Sequence, residues 1–231
     1  MAPEPRSKPR PPFPTRQVVP VQRPLPEDVP DSVTPHRYAR MLEVLDRRQP
    51  DLTVVLEDVH DSHNAGAVAR SCEAVGVGVL HLVEAVERAP APSSGTTSSA
   101  HLWIEIRRHV SVGAAYTALR AQGFAIVATA IGADAREPWA VDFTRPTALV
   151  LGNEQRGVSA EAAAAADLRV LIPMRGMVQS LNLSVAAGAL LFEAMRQRQA
   201  AAMYDRPRLA ESDRRRILET WLDRERGNPA P

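Results

Sequence analysis

Cysteine is almost absent from this chain of 231 residues: Cys72 stands alone, which excludes an intramolecular disulfide and fits a reducing compartment. It lies in an apolar helical pattern, so it is either a small buried hydrophobe or an isolated nucleophile. Lysine is as scarce. Lys8 is the only one among 28 basic residues; the rest are arginines, suited to bidentate phosphate recognition, although a genome-wide codon bias produces the same composition. An excess of either charge is also missing, with 28 basic against 27 acidic side chains. The whole molecule is therefore no polycation, and any affinity for nucleic acid must come from local patches. No apolar run approaches the roughly 20 residues of a membrane-spanning helix, and the N-terminus has no hydrophobic signal core, so a cytoplasmic protein with no membrane partner is expected. The dinucleotide-binding pattern G-x-G-x-x-G does not follow the first strand-like run, which excludes a Rossmann fingerprint. Around His60, His63 and His101 no carboxylate or thiol completes a recognisable ligand spacing, and no catalytic metal is expected.

What is present is enough for one sizeable α/β core with tails. Residues 1–33 form a Pro- and Arg-rich arm that cannot build a core and is expected to be disordered. Thr34 followed by Pro35 signals a helix start, and Tyr38, Met41, Leu42 and Leu45 then recur at helical spacing, predicting a first helix over about 35–48. Its other face carries Arg37, Arg40, Arg47 and Arg48, a solvated or phosphate-facing set. From Leu52 short apolar runs alternate with amphipathic stretches: LTVVLEDV, GVLHLVE, LWIEIRRH, FAIVATA, TALVLGN and LRVLIPM are the strand candidates. Such alternation implies a parallel sheet with helices on both faces, here over 34–204. After Tyr204 a further helix is expected, with Ile217, Leu218, Trp221 and Leu222 on its apolar face, giving a basic extension over 205–231.

The junction over 172–199, IPMRGMVQSLNLSVAAGALLFEAMRQRQ, joins a short strand to a long helix. Gly176 supplies a position free of Cβ crowding, and Gln179, Ser180 and Asn182 place polar side chains at the helix start. A helix N-terminus favours polar or anionic groups, so this loop either holds a small polar ligand or merely caps the helix through Ser180 or Asn182. Earlier, Asn64 and Arg70 lie six residues apart, which is not a same-face spacing. Asn64 reads as a helix N-cap with Arg70 nearly two turns in. A buried guanidinium there would need a partner, either a structural salt bridge or an RNA phosphate.

Three segments carry a resemblance. HNAGAVARSCEAVGV at 63–77, LVLGNEQRGVS at 149–159 and the 172–199 junction resemble, in order, motifs 1, 2 and 3 of the SpoU/TrmH-type RNA ribose 2′-O-methyltransferases of the SPOUT superfamily. The flanks at 34–54 and 203–209 are similar specifically to the members acting on guanosine 18 of tRNA. The resemblance, running from about 35 to 209, implies a C-terminal deep trefoil knot that binds S-adenosyl-L-methionine, a homodimer whose site is completed across the interface, and tRNA as substrate. It also implies site residues. Arg70 would activate the ribose hydroxyl, with Asn64, Glu154, Ser180 and Asn182 shaping the reacting region. Thr129, Ile131, Gly152, Ile172, Met174 and Leu181 would wrap the methyl donor. Arg206, Arg208, Arg214, Arg215 and Arg216 would add RNA-binding surface. An arginine is a very poor base, its pKa exceeding about 12, so Arg70 is expected to act together with a substrate phosphate.

The chain departs from the family pattern at Asp61-Ser62-His63-Asn64, where KPHN is common, at Gln155 after Glu154, and at Ser98-Ser99-Ala100. These changes bear on which tRNAs are accepted. Two rivals remain at this stage. One is an rRNA ribose methyltransferase of the same family, which usually carries a separate N-terminal RNA-binding domain. The other is a catalytically silent tRNA-binding chaperone.

Overall fold

The computed structural model describes residues 25–83 and 102–227, so the arm up to residue 24, the Ser98–Ala100 departure and His101 lie outside the described residues. Six parallel strands form one sheet: β1 (Leu52–Glu57), β2 (Val79–Val83), β3 (Glu105–His109), β4 (Ala125–Thr129), β5 (Thr147–Leu151) and β6 (Leu168–Val170), in the spatial order β3-β2-β1-β5-β4-β6. Every residue of β1 and β5 is buried, as expected of central parallel strands covered on both faces. β3 lies at the sheet edge and reads Glu-Ile-Arg-Arg-His, a charged sequence that discourages edge-to-edge pairing.

Six α-helices are described: α1 (Pro35–Asp46), α2 (Ser62–Ala74), α3 (Val112–Ala121), α4 (Ala160–Ala165), α5 (Leu183–Ala200) and α6 (Glu211–Glu225). One sheet face, with Leu52, Val54, Leu56, Leu80, Leu149 and Leu151, packs on α2 and α5. The opposite face, with Val55, Ile126, Ala128, Ala148 and Val150, packs on α3 and α4 through Tyr116, Leu119 and Ala162. Among the described residues no helix is long and apolar enough to cross a membrane. Cys72 is buried in the α2 face, and its burial raises the thiol pKa to about 12, so the nucleophile alternative has no thiolate to draw on.

A third cluster departs from the expected domain layout. Val29 and Val33, from the last part of the arm, are buried together with Met41, Leu45, Trp221 and Leu222. The residues 25–33 are thus structural, and the C-terminal helix packs back on the first helix as part of the same body. Thr34 caps α1, accepting from the Arg37 amide, but the helix ends at Asp46. Arg48 is no solvated cation: it is 2% exposed, donates to the carbonyls of Val77 and Trp103, and lies 5.4 Å from the Trp221 ring centre. An apolar pocket would charge heavily for an unpaired guanidinium, so these carbonyls decide its place.

Arg198, near the end of α5, is fully buried. Its Nε donates to the Phe143 carbonyl at 2.9 Å, Nη1 to Gln49 Oε1 and Asp51 Oδ1, and Nη2 to the carbonyls of Asp51 and Arg145. All five N–H donors of the guanidinium are thereby satisfied. Arg208 closes the other side of Asp51 with contacts at 3.0 and 2.9 Å. Because removing one partner strands buried polar groups, Arg198→Met is expected to lower stability by about 3–5 kcal/mol, read from urea unfolding at neutral pH. Arg208→Met, at a more exposed position, should cost distinctly less.

Candidate active site

The chain lays down β1, β2 and β3 toward one edge and then crosses to build β4, β5 and β6 on the other side of β1. The reversal lies between β1 and β5, and in open α/β sheets a crevice opens beyond the carboxyl ends of the strands at such a point. The loops leaving β1 and β5, together with the segment leaving β6, meet there.

Asn182 caps α5, and its Oδ1 accepts from the Ser184 amide at 2.8 Å and from the Ser184 hydroxyl at 2.6 Å. That fixes which end of the side-chain amide faces outward. Its Nδ2 then donates to Asn64 Oδ1 at 3.1 Å, and Asn64 Nδ2 in turn donates to Glu154 Oε1, also at 3.1 Å. Side chains from three distant segments so form one directional chain running from a helix cap to a carboxylate. They line a polar cavity of about 560 Å³ together with His60, Asn153 and Arg156.

The sequence assigned Asn64 to the N-cap of α2, and the structure corrects this. Asp61 holds that place, accepting from the His63 amide at 2.8 Å. Asn64 sits in the first turn with its side chain released for the site. Arg70 is exposed on α2 and is not among the residues lining this cavity. Six residues along a helix carry it about 9 Å further and to a different face, so one chain alone does not bring it to Asn64. Ser180 is exposed in the unpaired segment just before the cap.

The residues expected around a methyl donor lie at the ends of β4, β5 and β6. Thr129 closes β4 and donates its hydroxyl to the Val150 carbonyl at 3.0 Å. Ile131 is 86% exposed, Leu181 is 38% exposed, and Ile172 and Met174 are half-buried. Gly152 is required for a different reason than ligand contact: a Cβ there would lie 2.1 Å from the Gly157 carbonyl carbon. The 152–157 turn folds back so tightly, with the Gly157 amide donating to the Asn153 carbonyl at 2.8 Å, that only glycine fits.

Of the arginines expected to meet RNA, Arg206, Arg215 and Arg216 are exposed, whereas two are engaged inside the protein. Arg208 grips Asp51. Arg214 pairs with Asp46 at 3.1 Å, tying α6 to α1. Sequence reasoning missed Asp58, Asn153 and Arg156, which join the β1 and β5 loops: the Asp58 carbonyl accepts from Asn153 Nδ2 at 2.9 Å, and its carboxylate pairs with Arg156. An acidic residue closing an otherwise apolar strand run was the available signal.

Among the described residues no three His, Cys, Asp or Glu side chains gather as a metal site. A second cavity, of about 330 Å³, lies between α6 and the starts of β1 to β3 at the opposite end of the strands. His81 lines it, and its Nδ1 lies 2.8 Å from His109 Nε2 at the end of β3. Burial, and then the neighbouring His109 and Arg107, push the His81 pKa down to about 4.

Comparison with known proteins places these features in context. Residues 51–192 match the family model described as the SpoU rRNA Methylase family. The Thermus thermophilus protein named tRNA (guanosine(18)-2′-O)-methyltransferase is 49% identical over 189 residues, covering 82% of this chain and 97% of that protein. The crystal structure of an A. aeolicus TrmH/SpoU tRNA modifying enzyme superposes with a TM-score of 0.78 at 40% identity, over 82% of this chain and 96% of that one. An AdoMet-bound rRNA methyltransferase from Sinorhizobium meliloti reaches a TM-score of 0.59 at 31% identity, over 67% of this chain and 59% of that one.

The depressed His81 pKa has a direction in pH. The unfolded chain takes up this proton near 6.5 while the folded protein resists it down to about 4. The stability that neutral His81 confers is therefore intact above 6.5, falls as pH drops across that interval, and levels off below it. Thermal unfolding midpoints at pH 7.5 and 5 should show a smaller acid-induced drop in His81→Asn than in the unaltered protein.

Proposed function

The chain belongs to the SpoU methylase family, and on that premise we infer that it transfers a methyl group to the ribose 2′-oxygen of guanosine 18 in tRNA. The observation that carries this reading is the hydrogen-bonded chain Asn182–Asn64–Glu154, in which one residue from each of three separated motifs meets at the sheet's switch point. The near-complete coverage of a relative named for that tRNA reaction favours it over the ribosomal-RNA alternative, and the intact polar site argues against a silent chaperone.

We further propose S-adenosyl-L-methionine as methyl donor, held by residues 129–131, 152 and 172–181. The fit rests on two features of the chain. Segment 171–182 has no regular secondary structure, which leaves its backbone groups uncommitted to a ladder and suited to read a purine edge. Ile131, Ile172, Met174 and Leu181 supply the apolar faces that such a ring needs. Bound there, the donor supplies a methyl activated by a sulfonium. The knotted threading expected of this segment belongs to the same proposal.

A ribose hydroxyl is a weak nucleophile at neutral pH, so the chain's own task is to orient it and to stabilise the charge that develops on its oxygen. Asn64 and Asn182 hold their amides in fixed directions, and Glu154, tied to Asn64, presents an acceptor at the cavity. Arg70 acts with a substrate phosphate to ease proton loss, and it does so across a homodimer interface. An exposed apolar stripe on α5, with Val185 54% and Phe192 49% exposed, supports that pairing. These two residues are seven apart, on one helix face. Arg206, Arg215 and Arg216 are the remaining candidates for phosphate contacts, which position RNA without reading its sequence. On this reading the protein works in the cytoplasm, where its tRNA substrate is found, and the segment over 205–231 is the RNA-facing side of a body that also includes residues 25–33.

Incubating the purified protein with donor and tRNA transcripts, followed by ribose-methylation mapping, should place the methyl on guanosine 18. A methyl at another nucleotide, or on a base, rejects the assignment. Asn64→Ala is expected to slow transfer by about 100-fold with donor affinity retained. Arg70→Lys should lose most turnover, since an ammonium lacks the planar fork, and a variant that kept it would remove Arg70 from the reaction.

A further inference from the structure

We propose that Asp58, which ends β1, is a positioning residue for methyl transfer and sets where Glu154 stands relative to Asn64; this rests on the reading of the site given above. Asp58 holds a left-handed backbone, φ 53°, and is one of two non-glycine residues with positive φ among those described. The other, Ala202, follows the end of α5, where such a conformation is ordinary. A residue kept in this region costs free energy, and it persists only where its surroundings over-determine it.

Asp58 ties the end of β1 to the loop that carries Glu154, while its own amide donates to the Val83 carbonyl of β2 at 2.9 Å. Its carbonyl accepts from Asn153 Nδ2, its carboxylate pairs with Arg156, and His60 Nε2 lies 3.2 Å from the other carboxylate oxygen. One residue earlier, the buried Glu57 accepts the Ser159 amide at 2.9 Å. These contacts bracket Glu154 on both sides, whereas Glu154 itself is exposed and reaches Asn64 through a single 3.1 Å hydrogen bond. Gly152 lets the loop fold back on itself, and the Gly157 amide closes it on the Asn153 carbonyl at 2.8 Å, so a shift at Arg156 is passed to Glu154 within one closed turn. The end of β1 thus sets the position of the carboxylate through Asp58.

Asp58→Asn keeps the shape and the tolerance for left-handed backbone while removing the charge that holds Arg156. In single-turnover transfer with a tRNA transcript it should be slower by roughly ten- to a hundredfold, because small misplacements of a reacting group are costly. Donor dissociation constant and melting temperature should remain those of the unaltered protein. Combined with Glu154→Gln, it should slow transfer no further than Glu154→Gln alone, which a merely structural role would not produce. If Asp58→Asn does not fold, Arg156→Gln opens the same contact from the other side and carries the same expectations. Transfer at the unaltered rate, multiplicative loss in the double variant, or an equal loss of donor affinity overturns the role of Asp58. A fast Glu154→Gln enzyme instead overturns the site reading, and the positioning role with it.

Discussion

The arrangement depends on a helix fixed at both ends. Eighteen residues carry α5 about 27 Å along the sheet, from Asn182 at the carboxyl ends of the strands to Arg198 near their amino ends. At the far end the buried guanidinium donates to Asp51, just before β1, and to carbonyls just before β5. Those are the two strands that flank the switch point. Any slide of α5 would break several buried charge-assisted bonds at once, and so the Asn182 cap is held in register with the loops that leave the same two strands. The rigidity of the cavity comes from the opposite end of the molecule.

That coupling explains how two exposed polar side chains and the half-buried Asn64 can keep a defined geometry. An isolated surface hydrogen bond between two amides contributes little and rotates freely. Here the direction of each donor is set by the one before it, starting from a helix cap that backbone geometry enforces. On the other flank, the 152–157 turn is closed by glycine contact and anchored to β1. Motif 1 and motif 2 are therefore one structure, and Asp58, though outside both quoted segments, is its hinge pin.

The central strands and the Thr34 cap were legible in the sequence, because apolar runs and capping residues act locally; Asn182 was one of two caps it offered, and the grouping of the three motif segments came from the family resemblance. The arginines were not. Arg48 reads as a helix-face charge by periodicity, but it is buried and donates to carbonyls 29 and 55 residues away, as Arg198 is buried on partners up to 149 residues away. Asn64 was misread as a cap because Asp61, three residues earlier, starts the helix one turn sooner, and side-chain acceptors at both positions look alike in sequence. The directional chain through Asn64 needed the fold, since its two links join residues 118 and 90 positions apart, and sequence pattern has no access to such distances.

The near-balance of charge takes on a structural meaning in this light. Arg198 and Arg208 share Asp51, Arg214 holds Asp46, Arg37 holds Glu225 at 2.5 Å, and Arg120 holds Asp167 at 2.8 Å. A protein that meets a polyanion with a neutral overall charge must therefore keep a small, placed set of cations for it. The satellite cluster provides the mounting. Trp103 and Trp221 pack edge to face at 5.1 Å, with Arg37 over one ring and Arg48 over the other, so α1 and α6 form a single rigid surface from the two ends of the described chain. Arg215 and Arg216 project from that surface rather than from a loose tail. Their relation to the polar cavity is set through Asp46 and Asp51 to the start of β1, the same strand whose far end presents Asp58. One strand thus links the helices expected to face RNA to the loop that carries Glu154, so on the proposed function the length of β1 separates substrate binding from chemistry.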